Sequence, residues 1–184
     1  LSSSSAASDV YKRQLVDGVN NKIVGPVETF SLRTTNATIA LGYLAGQTDQ
    51  EASSVAIGSQ AGNNAQNVGA VGIGYKAGNN TQGLGAVALG YQSGQNTQGG
   101  NAVAIGELAG QATQGGFGIA IGYASGQTTQ GASAVAIGRS AGSIEQSLES
   151  IAIGKSAAAG ATATATYVSG GVASTTMVVD DTTG

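Results

Sequence analysis

Ser133-Ala134-Val135-Ala136-Ile137-Gly138-Arg139-Ser140-Ala141-Gly142 is the stretch that decides the fold. Val135 and Ile137 alternate with Ala134 and Ala136, a period of two with β-branched residues on one side, which predicts a short strand. Gly138 follows at once and predicts a corner, where the backbone needs a positive φ. Reading outward, the same arrangement recurs every 16 residues, with turn glycines at Gly42, Gly58, Gly74, Gly90, Gly106, Gly122, Gly138 and Gly154. A helix is a poor reading of this pattern, because each interior glycine costs a helix about 1 kcal/mol relative to alanine.

A strand this short is not stable alone, but at a fixed period it stacks on its own copies in parallel register. The predicted fold is therefore all-β: a parallel β-solenoid, or β-roll, of eight 16-residue coils. The expected core is one column of apolar residues running along the rod, made of Val55, Ile57, Val71, Ile73, Val87, Leu89, Val103, Ile105, Ile119, Ile121, Val135, Ile137, Ile151 and Ile153.

Other columns accompany it. Three residues after each turn glycine the side chain is always small, from Ala45 and Ala61 through Ser93 and Ser125 to Ala157, which predicts a narrow coil. Four residues after it stands a second glycine, Gly46 through Gly142, replaced in the last copy by Ala158. Eight residues after it stands glutamine, Gln50 through Gln146, replaced in the last copy by Thr162. This column, and that of Gln47, Asn63, Asn79, Gln95, Gln111 and Gln127, have the chemistry of amide ladders along the rod. Thr81, Thr97, Thr113 and Thr129 form a possible binding ladder, and Tyr43, Tyr75, Tyr91 and Tyr123 share the position after the turn glycine.

Composition excludes several classes of function. Charged residues are only 9% of the 184, against about 25% in an ordinary domain. The net charge of −3 comes without a basic stripe, so nucleic acid is not an expected partner. With no His and no Cys, the usual general base and soft metal ligands are missing. No carboxylate pair recurs among the repeats, and the recurrent Asp of calcium-binding β-rolls is missing. The expectation is therefore a non-enzyme with no catalytic residue, cofactor or metal. No apolar run approaches the 18 or so residues of a membrane span.

Four segments are expected. Residues 1–14 (LSSSSAASDVYKRQ) look foreign to the rest, resembling translated adapter read-through at the edge of an assembly; a genuine flexible Ser-rich terminus is the alternative. Residues 15–36 read as an N-terminal cap or connector, 37–158 as the solenoid, and 159–184 as the start of a C-terminal β module. The chain as a whole reads as a fragment.

The motif (S/A)-V-A-I-G-x-x-A, as in Ser133 to Ala141, resembles the head repeats of trimeric autotransporter adhesins of the YadA type. The resemblance covers about two thirds of the chain, residues 37–158, and it implies a left-handed parallel β-roll that trimerises and binds host surfaces. Those heads usually have shorter, more variable repeats, and the constant 16-residue form is also similar to phage and large-virus fibre proteins. Independently of the resemblance, the strand face carrying Ala134 and Ala136 is smooth enough for another β surface to approach. That surface is either a partner chain or a second sheet of the same chain. These readings lead to a homotrimeric, extracellular structural segment of a viral tail fibre for host attachment, with a host receptor or glycan as a possible partner. A bacterial adhesin head on the cell surface is the alternative, and an ice-binding solenoid a minor one.

Overall fold

The computed structural model describes residues 37–158, together with the backbone pairing of two short strands nearer the N-terminus. The chain divides into two units, residues 1–32 and 33–184. In the first, β1 (Val16–Asp17) pairs antiparallel with β2 (Lys22–Ile23). The expected segments 1–14 and 159–184, and most of 15–36, lie outside the described residues.

Within the second unit, residues 37–158 form an all-β parallel solenoid of about seven turns, with no helix among the described residues. A long sheet holds eight three-residue strands, from Ile39–Leu41 to Ile151–Ile153, each neighbouring the copy one repeat away. The register is i to i+16 throughout: Val55 lies beside Val71, Ala120 beside Ala136, and Ile137 beside Ile153. A short sheet holds five two-residue strands, from Ala65–Gln66 to Thr129–Gln130, in the same register. Single bridges, Gln50 to Gln66 and Gln130 to Gln146, extend the short sheet at both ends. At about 4.8 Å per coil, the seven steps of the long sheet make a rod about 34 Å long.

The turn glycines show why the period cannot slip. Gly90 has φ +133, and a Cβ placed there would lie 2.7 Å from the carbonyl oxygen of Gly106 on the next coil. Backbones of successive coils therefore approach through the space a side chain would fill. The corner is completed by two left-handed residues, as at Gln92 (φ 53) and Gly94 (φ 51).

The core differs from the expected one. Val55, Ile57, Val71, Ile73, Val87, Leu89, Val103, Ile105, Ile119, Ile121, Val135, Ile137, Ile151 and Ile153 are half-buried or exposed, reaching 66% exposure at Ile153. The alternate residues are inside: Ala56, Ala88, Ala104, Ala120 and Ala136 are all 0% exposed. Ala134 and Ala136, the smooth face considered for partner contact, are thus covered by the short sheet of their own chain. The reason is width. Each coil closes so tightly that its interior holds Cβ atoms from the long sheet and one amide side chain from the short sheet. Ala61, Ser93 and Ala141 fill the corner of the same interior and are likewise 0% exposed. No β-branched side chain fits there, so Val and Ile point outward.

Candidate functional site

The interior is held by glutamine. Gln66, Gln82, Gln98, Gln114 and Gln130 are the largest fully buried side chains of the described residues. Gln98 is representative. Its Nε2 donates to the Val87 carbonyl at 2.7 Å, the Ala102 carbonyl at 3.2 Å and Gln114 Oε1 at 3.2 Å. Its own Oε1 accepts from Gln82 Nε2 at 3.2 Å. The pattern repeats from Gln50 to Gln146, so a continuous amide chain runs along the rod and ties the short sheet to long-sheet carbonyls. Among the described residues no buried side-chain nitrogen or oxygen lacks a hydrogen-bond partner. That satisfaction is needed, because an unpaired buried amide group costs about 1–3 kcal/mol.

The second glycine column is explained by the same ladder. A Cβ at Gly94 would sit 2.8 Å from Gln98 Oε1 and 3.2 Å from the Ala88 Cβ. Gly62 stands in the same relation to Gln66, and Gly126 to Gln130. Glycine there makes room for the amide four residues later.

The outer surface has two different faces. The long sheet presents the half-buried Val and Ile stripe. One corner beside it carries the tyrosine column, with Tyr75 and Tyr91 stacked at 5.2 Å between ring centroids and Lys76 Nζ 5.4 Å from the Tyr75 ring. The opposite corner carries Val68, Leu84, Phe117 and Leu148, all exposed. Between the corners the outward strand residues are all Val, Ile or Leu, while the tyrosine column is interrupted by Ser59, Glu107, Arg139 and Lys155.

The short sheet is polar. Thr81, Thr97, Thr113 and Thr129 are all exposed on it in register, as one column. Beside them Asn64 Nδ2 donates to Asn80 Oδ1 at 3.0 Å, and Asn80 to Asn96 likewise at 3.0 Å. Of the outer amide column, Asn63 donates to Gln47, Gln111 to Gln95, and Gln127 to Gln111. Asn79 departs and donates to the Gln60 carbonyl at 2.8 Å.

The carboxylates fall as Asp49 with Glu51 on one coil, Glu107 alone on another and Glu145 with Glu149 on a third, and no group of three potential metal-ligating side chains occurs among the described residues. Nor is any helix among them long and apolar enough to cross a membrane. The described surface offers two broad faces and, at the first coils, an open depression lined by Asp49, Glu51, Asn67 and Val68.

The apolar face is the feature that sequence reasoning placed on the wrong side. A signal was available: from Ser54 to Ala152 the inward columns of the long sheet hold only Ala, Gly or Ser, whereas the outward ones vary among Val, Ile and Leu. Of the two faces of the long sheet, the more size-restricted one is enclosed.

No protein-family model, curated protein or solved structure matches the chain.

Proposed function

We propose that this chain is a rigid structural segment of an extracellular attachment fibre, in which three parallel copies join along their long-sheet faces. The observation that carries the reading is the continuous stripe of outward Val, Ile and Leu along the long sheet. Leu89, Ile121, Ile137 and Ile151 lie on it at 36–56% exposure, flanked by exposed Tyr, Leu and Phe at both corners. A contiguous apolar surface of this extent marks an interaction site rather than a solvated face. The face is about 34 Å by about 20 Å, or about 700 Å² before side-chain relief, close to the about 800 Å² per partner of a stable interface.

The motif resemblance to YadA-type heads and to viral fibres supports the same assembly, with the seam on the Val and Ile face rather than on Ala134 and Ala136. A viral tail fibre that contacts the host surface is the favoured setting, since residues 161–184 are Thr-rich without a heptad pattern. The bacterial adhesin head is the second reading, favoured by the S-A-V-A-I-G motif itself. The single threonine column on the short sheet gives ice binding little support, because the neighbouring columns are mixed. The reading assigns the chain no enzymatic activity.

Multi-angle light scattering of the full chain tests the assembly. A mass three times that of one chain is expected, and a stable monomer at micromolar concentration overturns it. The genomic locus tests the setting. Neighbouring baseplate or capsid genes fit the viral reading, while a downstream heptad stalk and membrane strands reverse it.

A further inference from the structure

The column after the turn glycine reads Tyr43, Ser59, Tyr75, Tyr91, Glu107, Tyr123, Arg139 and Lys155, one residue per coil. All four tyrosines are exposed, Tyr91 and Tyr123 at 48% each. Tyr75 and Tyr91, one coil apart, show how rings sit here: they stack with centroids 5.2 Å apart and planes 20° from parallel. That separation is close to the step of about 4.8 Å between coils, so the ring faces look along the rod. Where another residue stands between two tyrosines of the column, their facing rings bound a slot. The described residues hold two such slots, Tyr43 to Tyr75 around Ser59 and Tyr91 to Tyr123 around Glu107.

The first slot is served by a cation of the chain itself. Lys76 Nζ lies over the Tyr75 ring, 5.4 Å from its centroid. Tyr91 covers one face of Tyr75, which leaves the ammonium the face toward Ser59. The second slot is the reverse in charge. Its middle residue is the exposed carboxylate Glu107, and where the first slot has Lys76 after its upper tyrosine, the second has Ala124 after Tyr123. The nearest basic residues of the described chain, Lys76 and Arg139, each stand two coils from Glu107, about 10 Å along the rod. The second slot thus has two ring faces and a negative charge, and no cation of its own.

Its width selects the kind of cation. Tyr91 and Tyr123 are two coils apart, about 10 Å, and backbone pairing holds them there. The Leu108 N–H donates to the Tyr91 carbonyl and the Ala124 N–H to the Glu107 carbonyl, both at 2.9 Å. A group at the midpoint is about 5 Å from each ring, inside the range of about 6 Å over which a ring face attracts a cation. A planar guanidinium in contact with both faces would need rings about 7–8 Å apart, at about 3.5–4.0 Å on each side. A tetrahedral ammonium carrying methyl groups is thicker and reaches both. The geometry points to Tyr91, Glu107 and Tyr123 as a binding site for a quaternary ammonium group of the kind choline carries. The rings contact its methyl groups, and the carboxylate supplies the counter-charge. The site lies within one chain and does not rest on the joining of copies.

Ligand-observed saturation-transfer NMR on the full chain, titrated with choline chloride at constant ionic strength, tests the site. Saturable binding is expected, with methylguanidinium chloride binding more weakly. Tyr91→Leu, Tyr123→Leu and Glu107→Gln should each weaken choline binding about threefold, and the double tyrosine variant about tenfold. Far-UV circular dichroism and light scattering, unchanged in these variants, separate loss of the site from loss of fold or assembly. Adding Ser59→Glu and Lys76→Gln to the double tyrosine variant should restore binding at the first slot, between Tyr43 and Tyr75. Co-sedimentation with phosphatidylcholine vesicles, lost in the double variant, would assign the group to a lipid headgroup; choline binding without co-sedimentation would assign it to a soluble or polymer-borne source. No saturable choline signal, a signal that survives the double tyrosine variant at full strength, or methylguanidinium binding as tightly as choline overturns the proposal.

Discussion

Replacing Gly94 by Ala, alone and together with Gln98→Thr, probes how this interior is specified. Gly94 has φ +51, and an L side chain in that region costs about 1 kcal/mol. The new methyl also lands 2.8 Å from Gln98 Oε1, and such overpacking costs about 1–3 kcal/mol. The single variant should therefore lose about 2–4 kcal/mol. Gln98→Thr alone removes the donor to Gln114 Oε1, a buried acceptor, at a cost of about 1–3 kcal/mol. In the double variant the clash is gone while the backbone and ladder costs remain, so the loss should be about 2–4 kcal/mol rather than the sum of about 3–7. The chain carries a natural precedent, for its last repeat has Ala158 where the others have glycine and Thr162 where they have glutamine. Ala158 adopts the same left-handed conformation, at φ 49. Urea unfolding followed by far-UV circular dichroism, with equal slopes, gives the three differences. Additivity within about 0.5 kcal/mol would mean that the methyl and the amide do not compete for space, and the argument would fail.

The inversion of the expected core makes a second test sharp: Ala136→Lys should disrupt the β signal, because its side chain has no room and no counter-charge inside the coil. Ile137→Lys, by contrast, should keep the β spectrum and abolish self-association in light scattering; the opposite pair of outcomes would restore the buried Val and Ile column. Leu108 sits at φ 60, where β-branched residues are strongly disfavoured, so Leu108→Ile should lower stability by about 1 kcal/mol despite identical composition. A neutral result in urea unfolding would show that the corner relaxes.

The sequence alone determined the stacking. Sixteen-residue spacing without insertion leaves parallel i to i+16 pairing as the way to satisfy every strand's backbone groups, and the pairing of Val55 with Val71 and of Thr97 with Thr113 follows from it. The corners were legible too, because only glycine tolerates the backbone approach seen at Gly90. The left-handed corner at Leu44, Gln60, Lys76 and Gln92 was not, since no residue type marks it. Nor did alternation say which face is inside, for a period of two gives two faces and no preference between them when both are apolar. Tertiary closure decided that. The coil is narrow enough for the Gln98 amide to reach the Val87 carbonyl at 2.7 Å, and that separation admits alanine from the facing strand and excludes isoleucine. The apolar columns were thereby turned outward, so that the surface proposed to join copies is set by the width of the interior behind it.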